Sequence, residues 1–251
     1  MHLVHSQLGK SVKYFLIRSG FSLVQLSSRY GVEPFSDIRR LSEKWNYSIR
    51  TFFDVGANEG QTALDALLYF PQARIFSFEP HPATFSALLS KLGNRKNLQC
   101  VNLALGSQAG ELEMFEYESA SVLNSMVPDA QFAVRFGTVG RPIPIQCTTL
   151  DRFCSEAGID ALDVLKIDTE GFELEVLHGA SRMLQSRAIK FVFVEFNTLQ
   201  PQEGRSGGAL LPIDSLLYPH GFRFIASYND MIVTEGETFL VSNALFALPP
   251  S

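Results

Sequence analysis

The sequence predicts an α/β fold, a largely parallel sheet with helices on both faces. Three observations predict it. From residue 49 onward, short apolar runs alternate with amphipathic helical patterns, the rhythm of βαβ units. One run, Phe52-Phe53-Asp54-Val55, leads through a turn containing Gly56 and Gly60 straight into a helical pattern. Glycines there let the backbone approach a ligand, and the helix N-terminus presents unpaired N–H groups. The next run ends at Glu79, 23 positions after Gly56, where a carboxylate can accept both ribose hydroxyls of a nucleoside.

Composition sets the class. The 251 residues are 46% apolar and 19% charged, ordinary for a soluble globule. The net charge of −5 with no basic block argues against nucleic acid as the main partner. Cys100, Cys147 and Cys154 are odd in number and lack C-x-x-C spacing. Neither a disulfide framework nor a zinc site is indicated, and free thiols in a reducing cytoplasm are the expectation. The apolar stretch 14–26 is broken by Arg18 and serines and is too short to span a bilayer, so no transmembrane segment is expected. Lys10 and Lys13 faintly resemble the start of a signal peptide, but no small-residue cleavage site follows, and that reading is set aside.

Residues 1–48 read as an N-terminal helical extension, with helical patterns over 12–26 and 36–45. Packing against the core is the favoured role; a substrate lid, a dimer surface and a membrane-surface helix are the alternatives. Residues 49–251 read as the main domain. Residues 51–55 form a buried strand, and 62–70 a helix stopped by Pro71. Strand 74–78, helix 82–92 with Gly93 as its stop, and strand 98–103 follow. Residues 111–117 alternate like an exposed strand. Residues 118–142 form a long Ser-, Gly- and Pro-bearing loop with one short helix, 129–136, of a length that in compact domains is usually functional or disordered. Strand 143–148 leads to Thr149, the N-cap of a short helix. Strand 163–167, helix 172–184, strand 190–196, a polar loop 200–209, helix 212–218 and strands 222–226 and 239–248 complete the chain.

In open parallel sheets ligands bind at the carboxyl ends of the strands. Asp54, Glu79, Asn102, Asp168, Glu170, Glu195 and Asn197 all fall at or near such ends. The turn reads Gly-x-Asn-x-Gly and so departs from the dinucleotide pattern, whose second glycine admits a pyrophosphate. A polar Asn58 and an acidic Asp54 suit the ammonium and carboxylate of S-adenosylmethionine better than a diphosphate. In the second motif, Lys166-Ile167-Asp168-Thr169-Glu170-Gly171, a lysine interrupts an apolar strand. Lys166, Asp168 and Glu170 alternate, so they share a face. An ion-pair network fixing the strand and a catalytic role are both compatible with that pattern. His178 reads as a helix C-terminal residue. His81 falls close to the expected ribose site.

With these residues in view, the chain resembles the FkbM-type methyltransferases. The matching elements are Asp54-Val55-Gly56-Ala57-Asn58-Glu59-Gly60-Gln61-Thr62, Phe78-Glu79-Pro80, Ala104-Leu105-Gly106, Thr149-Leu150-Asp151, Leu165-Lys166-Ile167-Asp168-Thr169-Glu170-Gly171, Leu177-His178-Gly179-Ala180, Val194-Glu195 and Asn243-Ala244-Leu245-Phe246. The resemblance implies a Rossmann-like class I methyltransferase, with a seven-stranded, mostly parallel sheet, a reversed last strand and helices on both faces. It implies S-adenosyl-L-methionine as cofactor and methyl transfer, usually to an oxygen of a sugar, glycan, polyketide or similar small molecule. The cofactor residues expected are Asp54, Gly56, Asn58, Gly60, Thr62, Glu79 and Asn102.

Asp168 is the expected general base, just past its strand where the methyl should be presented, with Glu170 and Glu195 in reserve. An oxygen-rich cation site of Asp168, Glu195 and Asn197 is a second possibility, but no metal is expected. Two rivals share part of the pattern: an NAD(P)-dependent oxidoreductase with the same turn and ribose acid, and a non-catalytic scaffold that binds S-adenosylmethionine or nothing.

Overall fold

The computed structural model describes residues 29–116, 140–201, 208–234 and 237–250. The expected helices over 12–26 and 129–136, most of the loop 118–142 and the middle of the loop 200–209 lie outside the described residues. The chain runs α1 (Pro34–Lys44), β1 (Thr51–Val55), α2 (Gln61–Tyr69), β2 (Arg74–Phe78), α3 (Pro82–Leu92), β3 (Leu98–Val101), β4 (Ala104–Leu105), β5 (Gly110–Glu116) and β6 (Arg141–Thr148). It continues through α4 (Leu150–Ala157), β7 (Leu162–Ile167), α5 (Glu173–His178), α6 (Ser181–Gln185), β8 (Ile189–Phe196), α7 (Leu210–Leu217), β9 (Arg223–Thr234) and β10 (Glu237–Ala247).

Seven strands form one sheet in the order β3-β2-β1-β7-β8-β10-β9, and β10 is antiparallel to both neighbours. Strand parity builds two cores. Phe53 and Val55 of β1, Leu165 and Ile167 of β7, and Val192 and Val194 of β8 pack on one face with α4 to α7. Phe52, Val164, Phe191 and Phe193 pack on the other with α1, α2 and α3. Helix α1 is built into that second core: Phe35, Ile38 and Leu41 recur at helical spacing and are buried, and Phe35 meets Phe52, Tyr69, Phe70 and Phe193 edge-on or tilted. Its Asp37 accepts hydrogen bonds from Gly31 N and from Tyr228 Oη on β9, each at 2.7 Å, fastening the helix to the sheet. Burying this apolar surface is the main force joining helix to sheet.

Several elements depart from the sequence expectation. The expected strand 98–103 is shorter: β3 ends at Val101, and beyond the run Ala104–Leu105 pairs with β6 in a separate three-stranded sheet, order β4-β6-β5. The expected helix 172–184 is two short helices broken at Gly179 and Ala180. A Cβ on Gly179 would stand 2.0 Å from the Gly106 carbonyl oxygen, so backbone passes against backbone there. Gly93 ends α3 at φ −60°, without the left-handed turn usual for a glycine stop. β9 continues beyond Ala226 to Thr234, paired with β10 as far as Thr234↔Glu237.

Candidate active site

The carboxyl ends of β1, β2, β7 and β8 meet at one locus, and Lys166 lies at its base. Register places Asp54 of β1 beside Lys166 of β7 on the same face. Lys166 is 3% exposed, and its Nζ lies 3.2 Å from Asp54 Oδ1, 3.3 Å from Asp168 Oδ2 and 3.2 Å from the Gly56 carbonyl oxygen, to which it donates. Burial alone would lower the lysine's pKa; the Asp168 and Asp54 carboxylates outweigh it and hold Lys166 above its usual range. Asp54 is fully buried, which raises its pKa despite the lysine.

The glycine turn crosses this ion pair. Gly56 adopts φ +77°, and a Cβ there would fall 1.7 Å from the Asp168 carbonyl oxygen, so side-chain-free backbone is required where β1 and β7 part. Asn58 is also left-handed, at φ +49°, and Gly60 is the N-cap of α2, with no side-chain cap. Thr62 lies in the first turn of that helix. Gly56 N and Ala57 N donate to the Phe78 carbonyl, tying the turn to the end of β2.

Glu79 follows β2 and is 6% exposed. Its Oε2 accepts from Asn58 N and its Oε1 from His81 N, both at 2.9 Å. Burial raises its pKa, and the two N–H groups pull it back. Asn102 donates through Nδ2 to the Glu79 and Pro80 carbonyls, bracing the loop that carries this acid.

Beyond Lys166, the carboxyl groups of Asp168, Glu170 and Glu195 offer oxygens that all lie within 4.8 Å of one another. All three acids singled out in the sequence therefore converge. Glu170 joins Asp168 and Glu195 there, and Asn197, just past β8, is exposed. Burial, with the Asp168 and Glu173 charges behind it, pushes Glu170 up to about 8. Glu195 rises to about 11, through burial first and then through Asp168, Glu170 and Glu173, and it hydrogen-bonds Asp168. At neutral pH this cluster retains protons.

Sequence reasoning assigned no role to two further residues. Glu173 is 1% exposed and accepts through Oε1 from Thr169 N, Thr169 Oγ1 and Gly171 N, shaping the turn that carries Glu170 at φ +53°. An acid just after Gly171 at a helix start was the available signal. Asn243 of β10 stands opposite Glu195, and its buried Oδ1 lacks a hydrogen-bond partner among the described residues. It opens the Asn243-Ala244-Leu245-Phe246 match, which carried no role for its side chain.

This sheet order, with its reversed strand and a glycine turn and acid at adjacent strand ends, defines a class I S-adenosylmethionine-dependent methyltransferase fold. The chain belongs to the methyltransferase FkbM domain family, whose model matches residues 54–224. It is similar to 2-O-methyltransferase NoeI of Sinorhizobium fredii, 26% identical over 175 residues, covering 65% of this chain and 68% of the relative. It is also similar to 31-O-demethyl-FK506 methyltransferase FkbM of Streptomyces tacrolimicus, 28% identical with 71% and 75% covered. A third relative is hexuronic acid methyltransferase AglP of Haloferax volcanii, 29% identical with 58% and 55% covered. The protein is a methyltransferase whose methyl donor is S-adenosylmethionine. The residues present fit that donor: Glu79 takes one N–H on each oxygen and keeps further lone pairs for hydroxyls, and the Gly56 turn leaves bare backbone beside it. Among the described residues, no helix is long and apolar enough to cross a membrane.

Proposed function

We propose that the protein methylates a hydroxyl oxygen of a sugar, glycan or polyketide-like small molecule. The observation that carries this reading is the convergence of Asp168, Glu170 and Glu195 beyond the cofactor turn. An alcohol must lose its proton as the methyl arrives, so an oxygen acceptor calls for a carboxylate within reach. The names of two relatives specify O-methyl positions, and the third acts on a hexuronic acid.

Bound S-adenosylmethionine supplies a methyl group activated on sulfonium. Gly56, Asn58, Gly60 and Thr62 hold its methionine side, with the buried Asp54 fixing that turn from behind through Lys166, and Glu79, with Asn102 bracing its loop, accepts from the ribose. The pair with Lys166 fixes Asp168, whose carboxylate takes the acceptor's proton. Glu195 and Glu170, holding protons of their own, hydrogen-bond the acceptor and fix its hydroxyl in line. Positioning therefore dominates the rate. Lys166 supplies a fixed cation to the cluster through Asp168. Three free thiols, with Cys147 and Cys154 buried, support a cytoplasmic location.

Incubation with S-adenosylmethionine labelled in its methyl group and a panel of sugars, uronic acids, glycans and macrolides tests the reading. A labelled product stable to mild base, as a methyl ether is, supports it. Base-labile label marks a carboxyl ester and contradicts it, as does label on nitrogen.

A further inference from the structure

We infer that His81 is a positioning residue for the Glu79 carboxylate, and that Glu116 of the small sheet acts on cofactor binding through it. The inference rests on Glu79 as the ribose acid. His81 is 4% exposed and makes contacts in three directions. Its backbone N–H donates to Glu79 Oε1 at 2.9 Å. Its Nδ1 accepts from Thr84 N at 3.3 Å, capping α3, and touches Thr84 Oγ1 at 3.1 Å. An Nδ1 that accepts an N–H carries no proton, so the neutral ring bears its hydrogen on Nε2. That hydrogen points at Glu116 Oε1, 2.9 Å away.

The ring is thus held at both nitrogens, and the ring fixes the peptide N–H that sets the Glu79 rotamer. Glu116 is itself fixed. It is the last residue of β5 and pairs in register with Arg141, the first of β6, whose Nε donates to Glu116 Oε2 at 3.1 Å. The second oxygen of Glu79 is held by the glycine turn. One half of the ribose site therefore belongs to the main sheet, and the other half is held from the small sheet.

His81→Asn separates this role from capping, since asparagine caps a helix as well but is too short to reach Glu116. Calorimetric titration with S-adenosylhomocysteine is expected to show His81→Asn and Glu116→Ala each weakening binding about 5–20-fold, the worth of one lost hydrogen bond. The KM for S-adenosylmethionine should rise in step, with kcat within about two-fold and thermal midpoints near wild type. The double variant should bind no more weakly than the worse single, because both act through one contact. Unchanged affinity in both singles, or losses that add in the double, would overturn the inference. Glu79→Gln is the control. If it weakens binding and the other two do not, the coupling to Glu116 is wrong. If Glu79→Gln itself binds normally, the assignment of Glu79 fails along with the inference built on it.

Discussion

Lys166 Nζ lies 3.2 Å from Asp54 Oδ1 at the boundary between sheet core and cofactor turn, with both side chains almost wholly removed from solvent. Removing one partner leaves the other buried and uncompensated, which typically costs about 3–5 kcal/mol. Lys166→Met is expected to lose that much in urea unfolding. The double variant Asp54→Asn/Lys166→Met should recover part of it, because the orphaned charge is gone. Full stability in Lys166→Met would show that the pair contributes nothing to the fold.

Asp168 touches the same lysine but faces the open side of the cluster. Asp168→Asn keeps the shape and removes the proton acceptor. Turnover should fall about 10²–10⁴-fold, while affinity for S-adenosylhomocysteine stays within a few-fold. Single-turnover kinetics with a working acceptor measure this, and a rate near wild type removes Asp168 as the base.

Glu170 makes stability depend on pH. Its carboxyl titrates near 4.5 in an unfolded chain and is pushed up to about 8 in the fold, by burial and then by its acidic neighbours. Between those values the folded state holds the extra proton, so stability falls as pH rises through that window and levels above it. Glu195, raised to about 11, prolongs the decline. Glu116 has its pKa lowered by its bonds to Arg141 and His81, so its effect falls below the window. Urea midpoints measured from about pH 5 to 8 should decline in the wild type and decline less steeply in Glu170→Gln, where Glu195 still contributes its share. An equal slope in both would remove Glu170 as the source.

Gly56 tests the turn. An added Cβ meets the Asp168 carbonyl oxygen, and φ of +77° disfavours any L side chain. Gly56→Ala should destabilise by about 2 kcal/mol or more and abolish cofactor binding, as read by unfolding and by titration. Normal binding would mean that the two strand ends can separate freely.

The parallel rhythm, the glycine turn and Glu79 were legible because each is a local pattern of a few residues. Alternation points Lys166 and Asp168 to one side; extended through Glu170 it overreaches, because β7 ends at Ile167. The second partner of Lys166 was not legible, because pairing with Asp54 depends on the register between strands far apart in sequence. Glu170 reaches the cluster through the left-handed turn shaped by Glu173, which periodicity does not encode. β9 was read short because Ser227, Asn229 and Asp230 look like loop residues until the β10 ladder is known. His81 meets Glu116 across two sheets, a contact with no sequence signature.

The central claim is that the ends of β1 and β2 hold S-adenosylmethionine, with Glu79 on the ribose. Isothermal titration of the wild type and Glu79→Gln with S-adenosylhomocysteine, and of the wild type with NAD, tests it most directly. The account predicts a clear S-adenosylhomocysteine isotherm in the wild type, affinity weakened about ten-fold or more in Glu79→Gln, and no NAD binding. Tight NAD binding without a response to S-adenosylhomocysteine, or equal affinity in the wild type and Glu79→Gln, would contradict it.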